Sequence, residues 1–299
     1  MFDPMDLYEL ADEVPELTDP VLLYHFEGFV DAGGAGRLAV GHLLAELEHQ
    51  VVATFDVDRL LDYRSRRPVM TFDTDRWVEC ESPELSVHAA KDATGTPFLL
   101  LSGPEPDREW ELFTRAVGEL VERLKVSKLV TLHGIPMAVP HTRPLGVTAH
   151  ATRPELINTQ PNVFGRVQVP GSAAALVELR LGAKGHDVVG YAVHVPHYLS
   201  QAEYPTAAVT ALEAVTRSTG LVFPLDALRD AADRTTTEIE EQISASSELS
   251  TAIRGLEQQY DAFAGGEERE NLLAETTPMP TGDELAAQFE RFLAEREEE

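Results

Sequence analysis

Cysteine is almost missing from this chain: Cys80 stands alone among 299 residues. One thiol makes neither an intramolecular disulfide nor a cysteine-based zinc cage, and such scarcity fits a reducing compartment. Basic side chains are also few, 24 Lys and Arg against 51 Asp and Glu, for a formal charge of -27. A surface of that sign repels nucleic acid and anionic membranes, so neither is an expected partner. No apolar run approaches the roughly 20 residues that span a bilayer. Residues 1–19 are acidic and lack the basic segment leading into an apolar one that marks a secretion signal. A soluble, cytoplasmic protein is expected.

Apolar residues make up 43% of the chain, enough for a full core. Their spacing predicts strands over 21–26, 51–57, 69–72, 77–80, 85–89, 98–101, 129–132, 147–151, 163–169 and 188–195. Helices are predicted over 35–48, 110–124, 173–181 and 206–218. Trp110, Phe113, Val117, Leu120 and Leu124 share one face of the second. Ser172 is placed to cap the third, and Gly185 to end it. Strands alternating with helices, and a meander of short strands between, predict an α/β fold with a mixed sheet flanked by helices.

The chain divides on this reading into an acidic N-terminal segment (1–20), an α/β core domain (21–224) and a helical C-terminal extension (225–299). In the extension, Leu225, Leu228, Ala232, Ile239, Leu249, Ile253 and Leu256 lie on a seam spaced by threes and fours. Packing within the chain is the simpler expectation; an intersubunit seam is the other. Polar Thr235, Gln242 and Ser246 in its middle leave room for a break into two helices. A last helix is predicted over 283–298.

Residues 133–150 hold three histidines, three prolines and Arg143 directly after a predicted buried strand. A stiff polar loop at a strand end is a usual place for a ligand site in open α/β sheets. Glu27, Asp31, Gly33, Gly34, His133, His141, Arg143, His150, His194 and His197 are therefore the candidate cleft residues. Their chemistry stays open. Arg143, Arg153 and the Gly33-Gly34 turn suit an anion, although both arginines can pair with local carboxylates instead. The histidines lack metal-ligand spacing, so no metal is expected. Gly34-Ala35-Gly36-Arg37-Leu38-Ala39 matches G-x-G-x-x-A formally, with Asp56 at the end of the next strand. A loop separates it from the preceding strand, against a dinucleotide site. Asp31 as a helix cap is the better reading. No G-x-S-x-G elbow is present, Cys80 has no evident histidine partner, and Ser102-Gly103-Pro104 reads as a turn. No catalytic residue and no cofactor is assigned.

Several of these segments together resemble the proteasome assembly chaperone 2 family, in its actinobacterial branch. They are Phe26-Glu27-Gly28-Phe29-Val30-Asp31-Ala32-Gly33-Gly34-Ala35, His133-Gly134-Ile135-Pro136, His141-Thr142-Arg143-Pro144 with Ala151-Thr152, His194-Val195-Pro196-His197-Tyr198-Leu199, and Glu203-Tyr204-Pro205. The resemblance spans residues 21–221. It implies a phosphorylase/hydrolase-like α/β architecture and self-association, with trimers within its range. It also implies kinship with chaperones that guide the proteasome α-ring. A nucleotide-related label carried by some members finds no glycine-rich phosphate loop here. The sequence ends Arg296-Glu297-Glu298-Glu299, without the hydrophobic–Tyr–X ending of proteasome-anchoring proteins.

Two functional readings follow. The first is a non-catalytic scaffold or assembly chaperone whose partners are itself and proteasome subunits. The second is an enzyme or binder of a small anion, nucleotide or nucleoside that uses the strand-end cleft.

Overall fold

The computed structural model describes residues 3–157 and 165–264. Its strands are β1 (Tyr8–Leu10), β2 (Val21–Glu27), β3 (His49–Phe55), β4 (Met70–Asp73), β5 (Arg76–Cys80), β6 (Ser86–Lys91), β7 (Pro97–Pro104), β8 (Lys128–Met137), β9 (Val147–Ala151) and β10 (Val188–Pro196). Its helices are α1 (Ala35–Glu46), α2 (Val57–Leu60), α3 (Trp110–Arg123), α4 (Ala173–Ala183), α5 (Pro205–Thr219), α6 (Asp226–Ser244) and α7 (Ser247–Ala264).

Eight strands form one mixed sheet in the order β1-β3-β6-β7-β2-β8-β10-β9. The middle four run parallel, and the pairs outside them are antiparallel. Every residue of β10 is buried, as a central strand covered on both faces requires. Side chains alternate between two apolar layers. Leu23, Leu100, Val130 and Val193 face α1, α5, α6 and α7. Leu22, Leu101, Leu129 and Val188 face α3 and α4. The first strand, β1, pairs with β3, so residues of the N-terminal segment close one edge of this sheet.

Three local expectations change. The strand placed at 129–132 runs on through His133, Gly134, Ile135 and Pro136 as part of β8. Proline is tolerated there because β2 pairs with β8 only as far as Thr131. Gly134 N–H points to that vacated side, and by the two-residue period so would the N–H that Pro136 lacks. Ser102-Gly103-Pro104 is strand rather than turn, paired to β6 and β2. Residues 165–169 form no strand, and 163–164 lie outside the described residues. The seam, as its polar middle allowed, breaks at Ala245 and Ser246 into α6 and α7, and Leu228, Ile239, Ile253 and Leu256 pack within the chain on the α1–α5 layer. The helix expected at 283–298 lies outside the described residues.

The strands β4 and β5 stand apart. Among the described residues they pair only with each other. Their register puts Met70 opposite Cys80 and Phe72 opposite Trp77, on one face of the hairpin. Phe72 and Trp77 meet edge to face at 5.0 Å, yet they are 54% and 62% exposed. All nine residues of the two strands face solvent.

Candidate functional site

Where β2 and β8 part, the segment between β2 and α1 fills the gap. Asp31 does this with its side chain. Its Oδ1 accepts hydrogen bonds from Gly36 N–H at 2.8 Å and Gly134 N–H at 2.9 Å, and its Oδ2 from Arg37 N–H at 3.0 Å. It therefore caps α1 and also stands in for the missing strand partner of β8. Gly33 and Gly34 turn the chain through left-handed φ values of 66° and 61°. Gly33 N–H donates to Ser200 C=O and its carbonyl accepts from Tyr204 N–H, both at 2.9 Å, locking this turn to the segment before α5. A side chain at Gly134 would strike the Ala32 carbonyl, so that close approach depends on glycine.

The result is a small polar pocket of about 280 Å3 lined by His25, Glu27, Gly28, Asp31, Gly34, Arg37, Ser200, Gln201 and Ala202. The first backbone donors of α1 are already taken by Asp31. Arg37 turns outward to Glu203, 2.9 Å away. The Gly33-Gly34 turn thus presents no open anion cradle. Asp56 caps α2 through Asp58 N–H and Arg59 N–H, in the way of a turn rather than of a ribose contact.

The candidate histidines are spread over separate places. His133 and His150 belong together on the α4 side of the sheet. The His150 Nδ1 lies 2.9 Å from Glu178 Oε2, and its ring occupies space that a side chain at Gly190 would fill. Burial first, and the neighbouring His150 second, push the His133 pKa down to about 4, against an opposing pull from Asp31. His194, on β10, places Nε2 2.7 Å from Thr148 Oγ1. His141 meets Tyr198: both its backbone N and its Nδ1 lie 2.8 Å from the Tyr198 hydroxyl. His197 packs edge to face on Tyr198. Burial lowers the pKa of His141, His194 and His197 alike, and raises that of Tyr198.

Arg143 is not at the Asp31 pocket. Asp261 and Glu257 on α7 engage its guanidinium. Arg153 is gripped in the same way by Asp187. Among the described residues, no group of three or more His, Cys, Asp and Glu side chains is placed to hold a metal ion. Likewise, no helix there is long and apolar enough to cross a membrane.

The residue that sequence reasoning passed over is His25, buried inside an apolar strand at the floor of the pocket. A histidine interrupting Leu22, Leu23, Tyr24 and Phe26 was the signal available. Nothing in the local pattern placed Ser200 and Gln201 opposite it.

Comparison with known proteins follows the same lines. A protein of unknown function from Mycobacterium tuberculosis is 50% identical, with a TM-score of 0.83, over 87% of this chain and 92% of that one. A second, from Corynebacterium glutamicum, is 39% identical, with a TM-score of 0.84, over 89% and 100%. A proteasome-assembly chaperone homologue from M. tuberculosis is 26% identical, with a TM-score of 0.70, over 78% and 99%. No curated protein matches. The PAC2 family profile matches residues 25–243. With the sheet order, the Asp31 turn and the β8 strand in place, the chain belongs to the PAC2 family.

Proposed function

We propose that this protein is a non-catalytic, assembly-chaperone-like scaffold of the cytoplasm that works through protein–protein contact. Its partners on this reading are copies of itself, up to a trimer, and proteasome subunits in an organism that has them. The observation that carries the reading is the β4–β5 hairpin. Met70, Phe72, Trp77 and Cys80 make one exposed apolar face on a two-stranded unit. A two-stranded hairpin with that face in water is marginal. Contiguous exposed apolar surface of this kind marks a contact site, and its aromatics are of the type that anchors interfaces.

Two further facts support it. The similar protein described as a proteasome-assembly chaperone homologue belongs to this likeness. His141, His150 and His194 hold hydrogen bonds or ion pairs within the fold rather than gathering about one cleft.

The test is sedimentation of the full chain alone, then with proteasome α subunits of its own organism, for wild type and the double variant Phe72→Ser, Trp77→Ser. The wild type should sediment as an oligomer and bind the subunits, and the variant should do neither while keeping its melting temperature. A wild type that stays monomeric and leaves the subunits free, or a variant that matches the wild type, overturns the reading.

A further inference from the structure

Strand β3 is open along the start of one side. There β1 pairs only with Ala53, Thr54 and Phe55, and Ala11 N–H adds one bond to the Val52 carbonyl. Over His49, Gln50 and Val51, β3 pairs with β6 on its other side. In an antiparallel ladder, alternate residues turn N–H and C=O to opposite sides. Part of the 49–51 backbone therefore points away from β6, and among the described residues no backbone group meets it there. All three residues are exposed, the apolar Val51 included. An open edge of this kind is a template for a further strand.

A groove of about 700 Å3 lies beside this edge, between residues 15–17 and the end of α1. Its apolar lining is Leu17, Leu44, Leu47, Ala89, Ala90 and Pro97, and His49 and Gln50 belong to the same wall. Glu16 and Glu48 outnumber Lys91, the one basic side chain of the lining. The carbonyl end of α1 adds partial negative charge. A small molecule in the apolar part would leave the strand edge unmet. A polypeptide backbone supplies N–H and C=O in register with it. Residues 265–299 of this chain hold 11 acidic side chains against 3 basic ones, so like charge disfavours them at this rim.

We propose that the His49–Val51 edge takes an extended, basic peptide segment of a partner protein as an added strand. One apolar side chain of that strand sits in the groove, and a Lys or Arg two residues away, on the same side, meets Glu16 and Glu48. This surface is separate from the face of the β4–β5 hairpin.

The test is NMR of the full-length, 15N-labelled protein at fixed ionic strength. The probe is acetyl-Lys-Thr-Leu-Thr-Val-amide, whose Lys, Leu and Val share one side when extended. It should shift the 49–51 amide signals in a saturable way and slow exchange of those that face outward. Two analogues, N-methylated at alternate residues, separate the modes of binding. One should bind as the parent does and the other about tenfold more weakly, because only one edge of an added strand faces β3.

Glu48→Gln, an exposed change, should weaken the peptide about threefold. Ala45→Trp fills the groove from the exposed side of α1 and should abolish binding. The Phe72→Ser, Trp77→Ser variant should bind the peptide as wild type does, so this inference and the hairpin reading fail separately. Five results overturn the inference. They are 49–51 signals unmoved by saturating peptide, equal binding of both methylated analogues, and equal binding of a peptide with Glu in place of Lys. The others are the same shifts from leucinamide alone, which would make the groove a small-molecule site, and signals that move with protein concentration alone, which would give the edge to a second copy.

Discussion

Arg143 and Asp261 form a two-pronged ion pair, with Nε 2.8 Å from Oδ1 and Nη2 2.7 Å from Oδ2. It holds the 141–144 loop against α7. Around it, Thr142 Oγ1 donates to Glu257 at 2.5 Å and the Tyr260 hydroxyl donates to the Pro144 carbonyl at 2.9 Å. The pair raises the Arg143 pKa further above its usual range and lowers that of Asp261. A planar guanidinium on a carboxylate is the geometry in which arginine is not replaceable by lysine.

This clasp makes a local prediction. Arg143→Ala should leave the sheet untouched and speed amide exchange along α7 more than along α5. Hydrogen exchange read by mass spectrometry checks it, since among the described side chains of α7 only Ile253 and Leu256 are buried anchors. Unchanged exchange in residues 247–264 would mean that the apolar contacts alone seat the helix.

Two glycines of α1 should respond with opposite signs. A Cβ at Gly36 would meet the His25 ring and the Leu132 carbonyl, whereas at Gly41 it meets nothing within 4 Å. Gly36→Ala should cost about 1–3 kcal/mol as overpacking. Gly41→Ala should gain about 0.5–1 kcal/mol from helix propensity. Urea unfolding of both variants measures the contrast.

Acid should act on this protein before the carboxylate range is reached. The folded pKa of His133, about 4, lies below the unfolded value of 6.5, so the unfolded chain binds the proton first as pH falls. The stability this neutral ring contributes is complete above the unfolded value and drains away as pH falls toward the folded one. It amounts to no more than about 3 kcal/mol. Burial pushes His88, His141, His194 and His197 in the same direction. His133→Asn should therefore flatten the melting temperature against pH between about 7 and 5. Parallel curves for variant and wild type would refute this assignment.

Much of the fold was legible from periodicity. The amphipathic face of α3, the continuous apolar run of β10 and the Ser172 cap, whose Oγ accepts from Ala175 N–H at 3.1 Å, follow from local chemistry. The expected meander proved to be two structures: β6 and β7 enter the main sheet while β4 and β5 leave it. Local patterning gives no sign of that, because both pairs alternate alike and only the partner strand differs. The 133–137 stretch misread as loop for a similar reason. A glycine and a proline punctuate it, but their tolerance depends on β2 ending early, which is a tertiary fact. At the site, Asp31 as a cap was readable from sequence. Its second bond, to Gly134, spans 103 residues and was not.

The hairpin face gives the most direct test of the proposed role. The chain has two tryptophans, and Trp110 is half-buried, with Nε1 donating to the Pro106 carbonyl. In a Trp110→Phe protein, Trp77 is the sole indole and reports on its own face. Its emission should shift to the blue as protein concentration rises or as proteasome α subunits are added, and Phe72→Ser should abolish the shift. Emission that stays at its solvent-exposed position throughout, with partners present at saturating concentration, would contradict a role for this face in assembly.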